Sequence, residues 1–269
     1  SVTVTAPTAT DNCAGTVTGT TSDPLTYNTQ GTFTITWTYD DGNGNTATQT
    51  QTVIVDDVTA PVPTVPVLPI VTDQCSVTLI VPSASDNCAG VILGTTTDPM
   101  MYNTQGTFMV TWTYNDGNGN ISTQTQTVIV DDVTAPVPNV ANLPTITGEC
   151  AATATAPTAT DNCAGVVTAT TTDPTTYNTQ GTFTINWIYN DGNGNTSTQA
   201  QTVIVDDVTA PVPNVATLPT INAQCDTTVT PPTATDNCAG NLTASTSDPL
   251  TYNAQGTFTI TWTYDDGNG

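Results

Sequence analysis

The sequence predicts an all-β protein, built of tandem immunoglobulin-like β-sandwich repeats of 75 residues strung into an extended rod. Three observations carry that expectation. Motifs return at a step of 75 that never drifts, each repeat alternates apolar and polar residues with period two, and the repeats are joined by proline-rich links.

The repetition comes first. Asp11-Asn12-Cys13-Ala14-Gly15 returns at Asp86, Asp161 and Asp236; Trp37 returns at Trp112, Trp187 and Trp262. A fixed step excludes insertions and divides the chain into residues 1–57 (partial), 58–132, 133–207 and 208–269 (partial). Neither end coincides with a repeat boundary, so further repeats are expected on both sides.

Within residues 58–132 the run 107–114 puts Phe108, Val110, Trp112 and Tyr114 on one face. Residues 32–39 show the same pattern with threonine at every alternate position, which reads as a half-buried strand. The turn Asp116-Gly117-Asn118-Gly119-Asn120 then leads into a second run over 123–130, a strong hairpin signal. Shorter strands are expected over 77–81 and 91–94, flanking the Asp-Asn-Cys loop. No window has a helical period, giving about seven strands per repeat. Between repeats, Asp131-Asp132-Val133-Thr134-Ala135-Pro136-Val137-Pro138 is a short link stiffened by two prolines.

This succession (Asp-Val-Thr-Ala-Pro, a cysteine, Ala-Pro-Thr-Ala-Thr-Asp-Asn-Cys, Tyr-Asn-Thr-Gln-Gly-Thr-Phe, Trp-Thr-Tyr-Asp-Asp-Gly-Asn-Gly-Asn) resembles hyalin-type, HYR-like repeats. More closely, it is similar to those of very large secreted surface adhesins of gliding, Bacteroidota-type bacteria. The resemblance spans the whole chain and implies a surface-exposed adhesion module without catalysis. In one respect the chain departs from the family. The general pattern has a cysteine near its last strand, whereas here Cys88 lies in the Asp-Asn loop, so the family's disulfide pattern does not carry over.

Composition narrows the function. The chain has no Lys, Arg or His, and 23 acidic residues give a net charge of −23; threonine is about a quarter of the chain. Without cations it cannot neutralise nucleic-acid phosphate or an anionic membrane surface. Ser-His-Asp, Cys-His and lysine Schiff-base chemistry are excluded as well. Paired aspartates could do acid–base work, but one active site copied into every repeat is not expected. No stretch approaches the roughly 18 apolar residues of a membrane span.

Seven cysteines, two per full repeat, suggest an oxidised, extracellular framework. The expected pairing lies within repeats: Cys75 with Cys88, Cys150 with Cys163, Cys225 with Cys238, leaving Cys13 alone. A cross-junction pairing that joins Cys13 to Cys75, and free thiols, remain as alternatives. Zinc is disfavoured because the cysteines do not come in close pairs.

The Gly-Asn turn places oxygen donors at alternate positions, such as Asp41, Asn43 and Asn45, although the sixth-position Gly and twelfth-position Glu of an EF-hand are missing. As an isolated turn it is ordinary hairpin chemistry. In an immunoglobulin-like order, however, this turn and the Asp-Asn loop share the leading end of a repeat, where the preceding Asp-Asp pair arrives. Asp56 and Asp57 should then approach Asp86 and Asp116. Likewise Asp131 and Asp132 should approach Asp161 and Asp191, and Asp206 and Asp207 should approach Asp236 and Asp266. Carboxylates converging without Lys or Arg repel one another, and Ca²⁺ is the simplest remedy.

The expected function is a structural stalk or filament segment of a large cell-surface adhesin, holding an adhesive or motile tip away from the cell. Two alternatives are that the repeats bind surface glycans through exposed Tyr27, Tyr102, Tyr177 and Tyr252, or that chains self-associate into an extracellular fibre through strand edges. Threonine faces resembling ice-binding surfaces, and Asn-x-Ser/Thr triplets at Asn120, Asn195 and Asn241, have ordinary explanations in so Thr- and Asn-rich a chain.

Overall fold

The structure, a computed structural model, describes residues 1–268, and every regular element among them is a β-strand. The chain divides into two compact units, Ser1–Val130 and Asp131–Gly269.

In the first unit, residues 58–130 show the complete repeat. The aromatic run forms the strand Gly106–Asn115, paired antiparallel along its whole length with Ile121–Val130. Val71–Asp73 adds to the far edge of Ile121–Val130 in parallel, with Asp73 beside Val130. A second sheet comprises Gly90–Leu93, Ser83–Asp86 and Val62–Pro63, and a short pair joins Met101–Tyr102 to Val77–Thr78. The expected strand over 77–81 is thus shorter, although the Leu79 N–H still donates to the Met100 carbonyl at 2.9 Å.

Between the sheets lies one apolar cluster of Val77, Leu79, Ala84, Tyr102, Val110, Trp112, Tyr114, Val128 and Val130. Burying an indole requires a partner for its N–H. Gln126, itself buried on the partner strand, accepts the Trp112 Nε1–H at 3.1 Å and donates through Nε2 to the Pro69 carbonyl at 3.2 Å. Gln124 does the same for the Tyr114 hydroxyl (3.0 Å) and the Val65 carbonyl (2.7 Å). These two glutamines tie the proline-rich entry segment to the core. Residues 1–55 repeat the central hairpin, with Trp37 donating to Gln51 at 2.9 Å.

The second unit reproduces this architecture. Gly181–Asn190 pairs with Thr196–Val205, Ile146–Gly148 joins in parallel, and Trp187 donates to the buried Gln201 at 2.9 Å. Its later part carries Thr233–Asp236 paired with Gly240–Thr243 and with Val212–Pro213.

One expectation fails here. Tyr27 and Tyr102 are buried, Tyr177 and Tyr252 are half-buried, and each packs its ring on the phenylalanine six residues later, with centroids 4.3–4.6 Å apart. The intervening glycine permits it: a Cβ on Gly106 would sit 3.3 Å from the Phe108 ring. These tyrosines belong to the core and form no exposed glycan platform.

Candidate metal centre

The second aspartate of each Asp-Asp pair starts the link with a tight turn of its own. Asp57 Oδ1 accepts the Thr59 N–H at 3.1 Å, and Asp132 and Asp207 do the same for Thr134 and Thr209. Their side chains are buried, whereas Asp56, Asp131 and Asp206 are exposed. The first aspartates therefore lie outside the cluster, contrary to expectation. Successive side chains of an extended segment point to opposite sides, so only one of two adjacent aspartates can face the same group.

The Gly-Asn turn closes over the buried aspartate. Asn118 Nδ2 donates to Asp57 Oδ2 at 3.2 Å, and Asn120 Nδ2 donates to the Asp57 carbonyl at 2.9 Å and to Asp116 Oδ2 at 2.6 Å. In the second unit Asn193 and Asn195 hold Asp132 and Asp191 identically, and Asn268 donates to Asp207 at 3.2 Å. Asp116 Oδ1 also accepts the N–H groups of Asn118 and Asn120. For Asp116 and Asp191 burial alone would raise the pKa. The Asn120 and Asn195 side chains and the backbone donors outweigh it, and both carboxyls sit below the usual 3.8. Sequence reasoning gave the turn oxygens as ligands but missed this clamp of Asn on the linker aspartate.

The third component is the Asp-Asn-Cys loop. Asp236 Oδ1 accepts the N–H groups of Cys238 and Ala239, each at 2.7 Å. Ala239's backbone, and then Cys238's, hold its carboxyl below the ordinary value against the opposing effect of burial. Asp86 and Asp161 make the same pair of bonds at 2.7–2.8 Å. The other oxygen of each, Oδ2 of Asp86, Asp161 and Asp236, is buried with no hydrogen-bond partner. Asp161 and Asp236 are only 5 % exposed.

These oxygens come together with the linker aspartates. Asp57 with Asp86 and the Cys88 sulfur, Asp132 with Asp161 and the Cys163 sulfur, and Asp207 with Asp236 and the Cys238 sulfur each lie within 4.8 Å of one another. A buried acceptor with no donor is costly and normally demands explanation. Here it recurs three times, beside a second carboxylate, in a chain with no cationic side chain. Each cluster offers two carboxylates and a cysteine sulfur, and the carboxylate oxygens suit a hard divalent cation.

The cysteines depart from the expected pairing. Cys150 is bonded to Cys238, with Cα atoms 4.9 Å apart, while Cys13, Cys88 and Cys225 are free; Cys75 and Cys163 are disulfide-bonded as well. Neither Cys75–Cys88, Cys150–Cys163 nor Cys225–Cys238 forms, and the Cys13–Cys75 alternative does not form either. The reason is the parallel edge strand. Cys150 follows Ile146–Gly148, whose end lies beside Val205 at the trailing end of the repeat, whereas Cys163 sits in the leading-end loop beside Asp132. Two cysteines at opposite ends of one sandwich cannot meet.

No family model matches the chain. Among curated proteins it is similar to hyalin of Strongylocentrotus purpuratus, 33 % identical over 298 aligned residues. That alignment covers 98 % of this chain and 24 % of hyalin, so the chain spans about a quarter of the relative's length; the similarity is to hyalin-like repeats. Solved structures found in comparison include the protocadherin GammaB4 extracellular domain (15 % identity, 92 % of this chain and 50 % of that one, TM-score 0.34). The human desmocollin-1 ectodomain gave 15 % identity, 77 % and 50 % coverage, and a TM-score of 0.23.

Proposed function

We propose that the chain is a segment of an extracellular adhesion-type array whose repeats are locked together by Ca²⁺ bound between the linker aspartate, the Asp-Asn-Cys loop and the Gly-Asn turn. The carrying observation is the unpartnered buried Oδ2 of Asp86, Asp161 and Asp236 facing a second buried carboxylate. Ca²⁺ takes six to eight oxygens in flexible geometry. At the junction of the first two repeats Asp57 and Asp86 offer carboxylate oxygens, and Asn120 holds the Asp116 carboxylate beside the Asp57 backbone. The hyalin-like sequence, the disulfides and the acidic surface support placing it outside the cell.

At finer grain the array serves as the stalk of a large surface adhesin, of the kind carried by gliding bacteria. It acts as a spacer that presents a tip and contributes no glycan platform of its own, since its tyrosines are packed inside.

Calcium titration of the full chain tests this. Mass action gives about 2.7 kcal/mol per site when Ca²⁺ stands at a hundred times its dissociation constant, so chelator should lower the melting temperature by several degrees. Asp57→Asn should remove one equivalent of bound calcium, and Asp56→Asn, one residue away but exposed, should remove none. Equal effects of the two substitutions, or a melting curve indifferent to chelator, refute the reading.

A further inference from the structure

The Asp207–Asp236 cluster is gripped from the trailing end of the repeat before it. The Gly148 carbonyl accepts the Asp206 N–H at 3.0 Å. Gln180 Oε1 accepts the Asp207 N–H, and Gln180 Nε2 donates to the Glu149 carbonyl, both at 2.9 Å. Glu149 Oε2 accepts from Thr209 Oγ1 at 3.0 Å and from Asn237 Nδ2, the residue beside Asp236. Next to Glu149, Cys150 is bonded to Cys238, whose N–H is one of the two that fix Asp236 Oδ1. Glu149 is the chain's only glutamate; Gln74 and Gln224 stand at the equivalent positions. Both carboxylate-bearing segments of this site are thus anchored to Gly148-Glu149-Cys150, one of them covalently.

We propose that the Cys150–Cys238 disulfide, seconded by Glu149, positions Asp236 for calcium, so that oxidation of this cysteine pair raises calcium affinity at Asp207–Asp236 and bound calcium protects the disulfide. The proposal rests on the calcium reading above. A ligand held in its bound position loses less freedom on binding. Coupling between two equilibria is reciprocal, so whatever factor oxidation adds to calcium affinity, calcium adds to the oxidised state. Reduction by a dithiol delivers two electrons and two protons: the S–S bond breaks, thiols form at positions 150 and 238, and the reagent closes into its own disulfide.

Within this chain the Asp57–Asp86 cluster, whose loop cysteine Cys88 makes no disulfide, serves as the comparison.

The test is calorimetric titration of CaCl₂ into the full oxidised chain, the chain treated with dithiothreitol, Cys150→Ser/Cys238→Ser, and Glu149→Gln, with tryptophan fluorescence reporting folding. In Cys150→Ser/Cys238→Ser, loss of the bridge should weaken one site by roughly tenfold, within the usual range of coupling between sites, and leave the Asp57 site unchanged; dithiothreitol, which also opens the bonds of Cys75 and Cys163, should weaken calcium binding at least as much. Conversely, Ca²⁺ should shift the Cys150–Cys238 reduction equilibrium toward the disulfide by the same factor in the native chain and not in Asp207→Asn, an arm that needs no folded cysteine variant. Unchanged calcium isotherms without the bridge, or a reduction equilibrium indifferent to Ca²⁺, overturn the coupling and leave the calcium reading intact. Absence of calcium binding by the oxidised chain overturns both.

Discussion

Gln126 carries more of the fold than a polar residue on a strand suggests. It satisfies the only polar atom of the Trp112 indole and pins the entry segment through Pro69. Trp112→Ala should cost about 3–5 kcal/mol as a buried aromatic truncation. Gln126→Ala should cost about 1–3 kcal/mol by leaving the indole N–H buried and unsatisfied. Denaturant unfolding of both variants checks this, and a Gln126 effect near zero would mean the indole finds water instead. The tryptophan was legible in the sequence because period-two alternation marks a core face directly. Its glutamine partner was equally visible in retrospect: Gln124 and Gln126 share a face of an otherwise threonine-rich strand. Asp56 was misplaced although the same alternation, applied to the Asp-Asp pair, already separates the two side chains. What alternation could not reveal is which distant group each face meets.

The hairpin turn is the element best described by its local chemistry. Gly117 and Gly119 adopt φ of 80° and 107°, where a side chain is strained, and the structure leaves open space around a Cβ at either position. The carboxyl of Asp116 caps the turn and has a folded pKa below 3.8. A depressed folded value means the stabilisation is fully present above the unfolded pKa and is lost only as pH falls through the lower folded value. The turn should therefore remain intact at pH 4–5. The amide resonances of Asn118 and Asn120 should titrate with a midpoint below 3.8, and a midpoint above it would mean that the amide clamp is not formed. The parallel edge strand was less legible. Val71–Asp73 is three residues between prolines and a cysteine, with no alternation of its own, and it forms because Ile121–Val130 offers a free edge. That unread strand carries its cysteine to the trailing end, and the disulfide expectation failed with it.

At the scale of the whole molecule, the repeat step and the missing cations were plain from the sequence. The partner of each cysteine was not, because pairing depends on which ends of which sandwiches meet. The bridge between Cys150 and Cys238 spans 88 residues, and this has a mechanical consequence. A chain pulled from its two ends passes its load across the S–S bond, so the residues between them lie off the force path and cannot be drawn out even if their strands come apart. In single-molecule stretching, oxidised chains should lack the contour length of that segment. Reduction should lengthen the extended chain, by about 3.5 Å for each residue released. An oxidised trace of full length would show that the bridge bears no load. Strands ordinarily resist tension through hydrogen bonds that shear and re-form; here a covalent bond sets a ceiling on extension, and the sandwich inside it is relieved of carrying the pull.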